Sequence, residues 1–256
     1  MHNKKTSWGE VANWYDQLLG KNDTYQKQVI LPNLIRLMSI KKTDTVLDIA
    51  CGQGFFAREF SKMANSVIGV DVSKELIKIA QEQKVNNINY FVSSADKLSF
   101  IKDGSVDKIS IILALQNIDN LASVIKECSR VLKNRGNLYI VLNHPAFRVP
   151  QKSSWGYDEK RGIQYRRIDR YLSEIMVNID MNPGEKVKKN KKYTVSFHRP
   201  LQVYLNSLNS SGFLVSNFKE WISNKKSQNG PRKKAEDIAR KEIPMFACIE
   251  AIKIGI

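Results

Sequence analysis

The sequence predicts an α/β fold, a doubly wound and mainly parallel sheet with helices on both faces. Three observations carry this. From Thr45 to residue 142 strand-like and helix-like stretches alternate at short intervals, the pattern of a parallel sheet with right-handed crossovers. Residues 106–113 are almost continuously apolar, as a strand covered on both faces should be. Residues 46–54 read VLDIACGQG, and Asp71, closing the run VIGVD, lies seventeen residues after Gly54. A strand ending in an acid and a glycine turn, then a helix, then a second acid-tipped strand is a nucleotide-binding unit.

In chain order, residues 1–40 read as a helical cap with Trp8, Trp14, Tyr15 and Tyr25 as aromatic anchors. A helix over 30–38 in this cap places Pro32 in a first turn, where its missing N–H costs nothing. The core starts at Thr45. Its first crossover helix begins near Phe55 and carries Phe56, Phe60 and Met63 on one face. A second begins after Ser73, a good N-cap residue, with Leu76, Ile79 and Ala80 inward. Residues 89–92 suit a third strand and 106–113 a fourth. The next helix has the stripe Leu121, Val124, Ile125, Cys128, Val131 and Leu132, with Gly136 as its stop, and 138–142 form a fifth strand.

From 147 to 198 the period changes. Ile175, Val177 and Ile179 alternate with polar residues, Asn182-Pro183-Gly184 makes a turn, and Tyr193, Val195 and Phe197 alternate again. This predicts a two-stranded excursion inserted after strand five, with a solvated Lys-rich tip at 186–192. The core resumes with a helix after Pro200, a strand over 213–221 and a last strand over 245–254. The segments are thus a cap at 1–40, a core at 41–147, an inserted lid at 148–198 and a C-terminal completion of the sheet at 199–256.

The chemistry starts at the glycine turn. Gly52 and Gly54 let the backbone come close to a ligand where a Cβ would clash, and the following helix points free N–H groups at it. Asp71 stands where a carboxylate takes hydrogen bonds from the hydroxyls of a ribose. Glycine spacing alone also fits a dinucleotide dehydrogenase. Asp48 discriminates, because a carboxylate at the strand tip repels a pyrophosphate but suits a cationic ligand.

With Asp48, Ala50, Gly52 and Gly54 filling the form acid, x, x, small, Gly, x, Gly, the chain resembles the class I S-adenosylmethionine-dependent methyltransferases, in particular the small-molecule group that includes quinone-biosynthesis enzymes. The resemblance is close over 41–142 and looser in the C-terminal strands. It implies a Rossmann-like sheet whose last strand runs antiparallel between the fifth and sixth, and S-adenosylmethionine as cofactor. It also implies site residues: Cys51 within the loop, Asp71 on the ribose, Val72 on the adenine face, Ala95 and Asp96 at the adenine amine. Leu115, Gln116 and Asn117 would line the methionine end and the methyl group, with Asn117 toward the acceptor. Tyr15 and Tyr25 of the cap are further cofactor contacts. His144, directly after strand five, is the candidate general base.

Topology sends two loops to the same edge, the insertion and the segment 223–242. The first carries Trp155, Tyr157, Tyr165, Arg166, Arg167 and Arg170. Tyr165, Arg166 and Arg167 are its candidate acceptor-binding residues, and aromatics with cations suit an anionic or aromatic small molecule.

Composition bounds the alternatives. The 256 residues are 42% hydrophobic with a formal net charge of +16, which raises RNA as an alternative acceptor, although the basic residues are dispersed rather than gathered in an arm. Residues 114–117 read Ala-Leu-Gln-Asn and lack the Pro-Pro-aromatic signature of enzymes acting on base amino groups. No apolar run approaches the roughly 20 residues that span a bilayer, and the basic N-terminus lacks the apolar core of a signal peptide, so the cytoplasm is the expected compartment. Cys51, Cys128 and Cys248 have no metal-ligand spacing and read as reduced structural thiols.

Overall fold

The computed structural model describes residues 8, 9, 12, 17, 22–181 and 193–254. Seven strands form the central sheet: β1 (Thr45–Ile49), β2 (Ser66–Asp71), β3 (Ile88–Val92), β4 (Val106–Ile112), β5 (Leu132–Asn143), β10 (Phe213–Trp221) and β11 (Phe246–Lys253), in the order β10-β11-β5-β4-β1-β2-β3. The five strands β1 to β5 pair in parallel, while β11 runs antiparallel to both β5 and β10. The last strand therefore inserts between the fifth and sixth of the sheet, as the resemblance implies.

Alternation along each strand builds a core on both faces. Val46, Val67, Tyr139 and Val141 pack with α1 (Leu31–Met38) and α2 (Phe55–Ser61) through Leu34, Met38, Phe56 and Phe60. On the other face Leu47, Ile109, Ile111 and Ile140 meet α4 (Leu121–Val131) and α5 (Leu201–Ser210). Ser73 caps α3 (Lys74–Glu82) by accepting the Leu76 N–H at 3.2 Å. No described helix is long and apolar enough to cross a membrane.

Several local expectations need correction. α2 stops at Ser61, so Met63 lies beyond it. In α3 the inward residue beside Leu76 and Ala80 is Ile77, with Ile79 half-buried, because positions three and four apart share a face. Gly136 is not a helix stop. α4 ends at Val131 and β5 starts at Leu132, with its register against β4 shifting between Val106 and Lys108. A Cβ on Gly136 would lie 2.9 Å from the carbonyl oxygens of Asp107 and Lys133, so the glycine serves close backbone approach.

The insertion is larger than the expected pair of strands. β6 (Ser153–Asp158) and β7 (Ile163–Ile168) form one antiparallel pair, and β8 (Ile175–Asp180) and β9 (Tyr193–His198) a second. The first pair hides in SSWGYD and IQYRRI, where polar residues take both faces and no apolar alternation announces a strand. The turn at 182–184 and the tip at 186–192 lie outside the described residues. The segment 223–242 contains α6 (Lys233–Glu242), and it meets the insertion: Arg232 pairs with Glu159 and stands 4.4 Å over the Tyr157 ring. The two expected lids therefore join.

Candidate functional site

The site forms where β1 and β2 end. Ala50, Gly52 and Gly54 all take positive φ, at 56°, 57° and 81°, so the loop is a run of left-handed turns that glycine tolerates and alanine resists. Asp71 holds this loop in place. Its Oδ2 accepts the Gly52 N–H at 2.9 Å and its Oδ1 the Ser73 N–H at 2.9 Å. Burial raises its pKa, and the Ser73 and Gly52 amides pull it back. Each carboxylate oxygen keeps a second acceptor position for a ligand hydroxyl.

Tyr90 of β3 crosses the loop, a contact that sequence reasoning missed. A Cβ on Gly54 would stand 2.3 Å from the Tyr90 Oη, and one on Gly69 2.5 Å from its Cδ1. Gly69 faces Tyr90 across the β2–β3 register. The register is the signal, and it is not visible from spacing. Burial pushes the Tyr90 phenol up to about 12, partly offset by the Arg58 guanidinium.

Asp48 lies beneath the turn, 2% exposed. Its Oδ1 accepts the Ser110 hydroxyl at 2.8 Å, while Oδ2 is buried with no hydrogen-bond partner. Burial pushes its pKa up to about 7; the Ser110 bond opposes this, the Asp71 charge adds to it, and the Ala57 backbone N–H pulls it back. Among the described residues no Lys or Arg forms an ion pair with Asp48 or Asp71. Cys51 is buried, and burial followed by the Asp48 and Asp71 charges raises its thiol well above the ordinary range, so it is no nucleophile at neutral pH.

Beyond β2 and β3 an apolar rim is open. Val72 is 60% exposed, and the exposed rings of Phe91 and Phe100 lie 4.7 Å apart. Ala95 and Asp96 follow β3, half-buried, and Asp96 accepts from Ser94 Oγ. The short 3-10 turn Leu115–Asn117 after β4 behaves differently from expectation. The Leu115 side chain is fully buried in the core and does not face the rim. Gln116 donates to the Leu113 carbonyl at 2.9 Å and keeps its Oε1 buried without a partner. Asn117, expected to meet the acceptor, donates to the Val195 carbonyl of β9 at 2.9 Å. It fastens the insertion to the rim.

His144, the expected general base, has both ring nitrogens in contacts within the protein. Its Nε2 lies 2.7 Å from Glu220 Oε1 and its Nδ1 accepts the N–H groups of Ala146 at 3.2 Å and Phe147 at 3.3 Å. Both nitrogens are thus engaged in closing the turn after β5, and burial, opposed by Glu220, lowers its pKa. Tyr25 stands at the same edge, hydrogen-bonded to Ser223 Oγ at 3.0 Å and edge-on to Phe246 at 5.7 Å. Tyr15 and Trp14 lie outside the described residues. In β7 the alternation separates the three acceptor candidates. Arg166 turns inward, donating to the Phe147 carbonyl at 2.9 Å and Ser153 Oγ at 2.6 Å. Arg167 turns outward and pairs with Asp169 at 3.0 Å, so it does not reach the site. Tyr165 shares that outward face, with its ring against Gly156. Among the described residues no group of three or more His, Cys, Asp or Glu could hold a metal.

Comparison with known proteins finds similarity over the core. Residues 47–140 match the methyltransferase domain family. A ubiquinone biosynthesis O-methyltransferase of Xanthomonas oryzae is 28% identical over 98 residues, 37% of this chain and 41% of that protein. The uncharacterized methyltransferase YcgJ of Bacillus subtilis is 32% identical over 42% of this chain and 44% of its own. The chain thus spans less than half the length of these relatives. The crystal structure of an S-adenosylmethionine-dependent methyltransferase from Mesorhizobium loti superposes with TM-score 0.66 at 23% identity, covering 90% of this chain and 99% of the other, which establishes the shared fold.

Proposed function

We propose that the chain, whose residues 47–140 match the methyltransferase domain family, is a class I S-adenosylmethionine-dependent methyltransferase that transfers a methyl group to a small-molecule acceptor of anionic or aromatic character. The observation that carries this is the buried Asp48 Oδ2 beneath the glycine turn, without a hydrogen-bond partner, beside Asp71 and with no cationic side chain among the described residues paired to it. A cationic ligand supplies that balance, and a pyrophosphate would worsen it. The residues fit the cofactor at other points too. Gly54 leaves no room for a Cβ beside Tyr90, Asp71 has lone pairs for a ribose, Val72 is an uncovered apolar surface for an adenine, and Asp96 stands past β3 for its amine. Gln116 Oε1 is an orphan acceptor suited to an ammonium group.

When bound, S-adenosylmethionine supplies a methyl group activated by its sulfonium charge. The chain's own task is orientation and exclusion of water. Asp48 and Asp71 set a negative potential at the strand tips, the glycine loop admits the ligand backbone-close, and the joined insertion and α6 segment stand over the rim. With His144 engaged on both nitrogens, the reading carries no general base. We place the enzyme in the cytoplasm on its three free, buried thiols.

Calorimetry with S-adenosylhomocysteine on the full chain tests the reading, followed by consumption of S-adenosylmethionine with metabolite acceptors. Binding is expected. Its absence would overturn the assignment and leave a methyltransferase-like fold kept for another role. RNA is the weaker acceptor reading, and lack of RNA binding at low salt ends it.

A further inference from the structure

One cationic pair at the end of β5 has no acid paired with it among the described residues. Arg148 lies one turn past the end of β5, its N–H donating to the His144 carbonyl at 2.8 Å. Its guanidinium is half-buried, its Nε is fully buried with no hydrogen-bond partner, and no ion pair reaches it among the described residues. Arg166 approaches from β7. The two guanidinium carbons stand over the same Trp155 ring, at 5.8 Å for Arg148 and 5.2 Å for Arg166. Arg240 of α6 is near enough for its charge to act on Arg148, and it donates to Ser227 Oγ at 3.1 Å rather than to an acid. Three arginines from three separate elements therefore converge; Asp237 acts on Arg240, but among the described residues no carboxylate pairs with Arg148 or Arg166.

Such an arrangement is costly for a protein standing alone. A guanidinium removed from water and set beside like charges loses solvation and gains repulsion; burial and the neighbouring Arg166 lower the pKa of Arg148 accordingly. Arg166 is fixed by two hydrogen bonds, to Phe147 O and Ser153 Oγ, so the cluster is built rather than splayed into solvent. Its position is informative. It sits at the C-terminal edge of β5, two sheet positions from β1 and so about 10 Å across the sheet from the glycine turn. Phe246, which opens the antiparallel β11, and the Tyr25 ring against it mark the same edge. On the methyltransferase reading this edge, two strands away from the glycine turn, is where an acceptor would meet the cofactor.

We propose that Arg148 and Arg166, over the Trp155 ring, bind an oxyanion of the methyl acceptor, a carboxylate or phosphate. The inference rests on the methyltransferase reading for the word acceptor, but the anion site itself does not. Paired guanidinium forks match either oxyanion in bidentate fashion, and an anion held here leaves the far end of a small molecule to reach toward β4 and β1. Arg166 is already held by the loop after β5 and by β6, so Arg148 is the arginine whose hydrogen bonds remain to be made.

The test is calorimetry on the full chain saturated with S-adenosylhomocysteine, using benzoate and phenyl phosphate as anionic probes and benzamide as the neutral one. At least one anion should bind about tenfold tighter than benzamide, the scale of a charge-assisted bidentate contact. Arg148→Gln should abolish that preference and Arg148→Lys should restore part of it. The melting temperature of Arg148→Gln should hold or rise, because an unbalanced charge has been removed; a purely structural arginine would instead lower it. The proposal is overturned if benzamide binds as tightly as the anions, if no probe binds, if Arg148→Gln keeps the preference, or if Arg148→Gln melts lower and Arg148→Lys restores nothing. Loss of S-adenosylhomocysteine binding with the anion preference intact would sink the methyltransferase reading and leave the anion site standing.

Discussion

The Asp71 carboxylate accepts the Gly52 amide at 2.9 Å, so the residue that ends β2 also shapes the loop that ends β1. The two halves of the nucleotide-binding unit are thereby one device, because the same side chain fixes the turn and presents oxygens to a ribose.

Replacing Asp71 tests both roles. Asp71→Ala strands the Gly52 and Ser73 N–H groups in a buried setting, at about 1–3 kcal/mol for each unsatisfied group, and removes the ribose acceptor. Lower melting together with loss of S-adenosylhomocysteine affinity is expected. Undiminished binding in calorimetry would remove the ribose role.

Asp48 predicts an unusual pH dependence. Its folded pKa of about 7 lies above the ordinary value of 3.8, so between these values the native state holds a proton that the unfolded chain has released. Stability therefore falls as pH rises from about 4 to 7, by on the order of 4 kcal/mol from this group. Asp48→Asn should flatten that slope in chemical denaturation measured across the window. A sulfonium favours the ionised carboxylate, so affinity for S-adenosylmethionine should rise through pH 7 more steeply than affinity for the uncharged-sulfur product. Equal pH profiles for the two ligands would refute the charge-selection role.

His144 titrates in the opposite sense. Its pKa is lowered from 6.5 by burial, so below about pH 6.5 the unfolded chain takes up a proton that the native state refuses, and stability falls as pH falls. His144→Gln should lose this acid sensitivity and cost about 1–3 kcal/mol from the broken turn contacts, while S-adenosylhomocysteine binding is unchanged. A variant with wild-type stability at every pH would show that the turn does not need the imidazole.

The insertion is held by Arg199, which is 6% exposed and donates to the carbonyls of Ile118 at 3.0 Å and Asp119 at 2.5 Å. Arg199→Met should detach β9 from the turn after β4, costing about 1.5–3 kcal/mol per lost charged hydrogen bond. Faster amide exchange in β8 and β9, with the central strands unaffected, is the expected signature. Uniform exchange changes across the sheet would instead mean that the residue supports the whole fold.

Much of the central sheet was legible because its signals are local. Strand β4 ends in the apolar run Ile109 to Leu115, broken only by Ser110, α4 carries an unbroken stripe, and Ser73 caps α3 as a side chain reaching three residues along. The β6–β7 pair was not, since its residues alternate without an apolar face, and the turn at 182–184 is not described at all. Among site residues, Asp48, Gly52, Gly54 and Asp71 fall at the strand tips where the motif puts them. Leu115, Asn117, His144 and Arg167 lie on the expected segments, with protein contacts that the sequence did not indicate, because a strand end says which edge a residue leaves from but not which way its side chain turns.

The sequence alone determined the order of strands and helices in the central sheet, the glycine turn and the two acids flanking it, since these depend on residues a few positions apart. Only the tertiary structure decided that Tyr90 closes on Gly54, that His144 is used up by Glu220, and that Arg148 and Arg166 meet over Trp155 without a counter-charge. Those relationships join residues from different strands, and strand register, side-chain direction and desolvation exist only once the chain is packed.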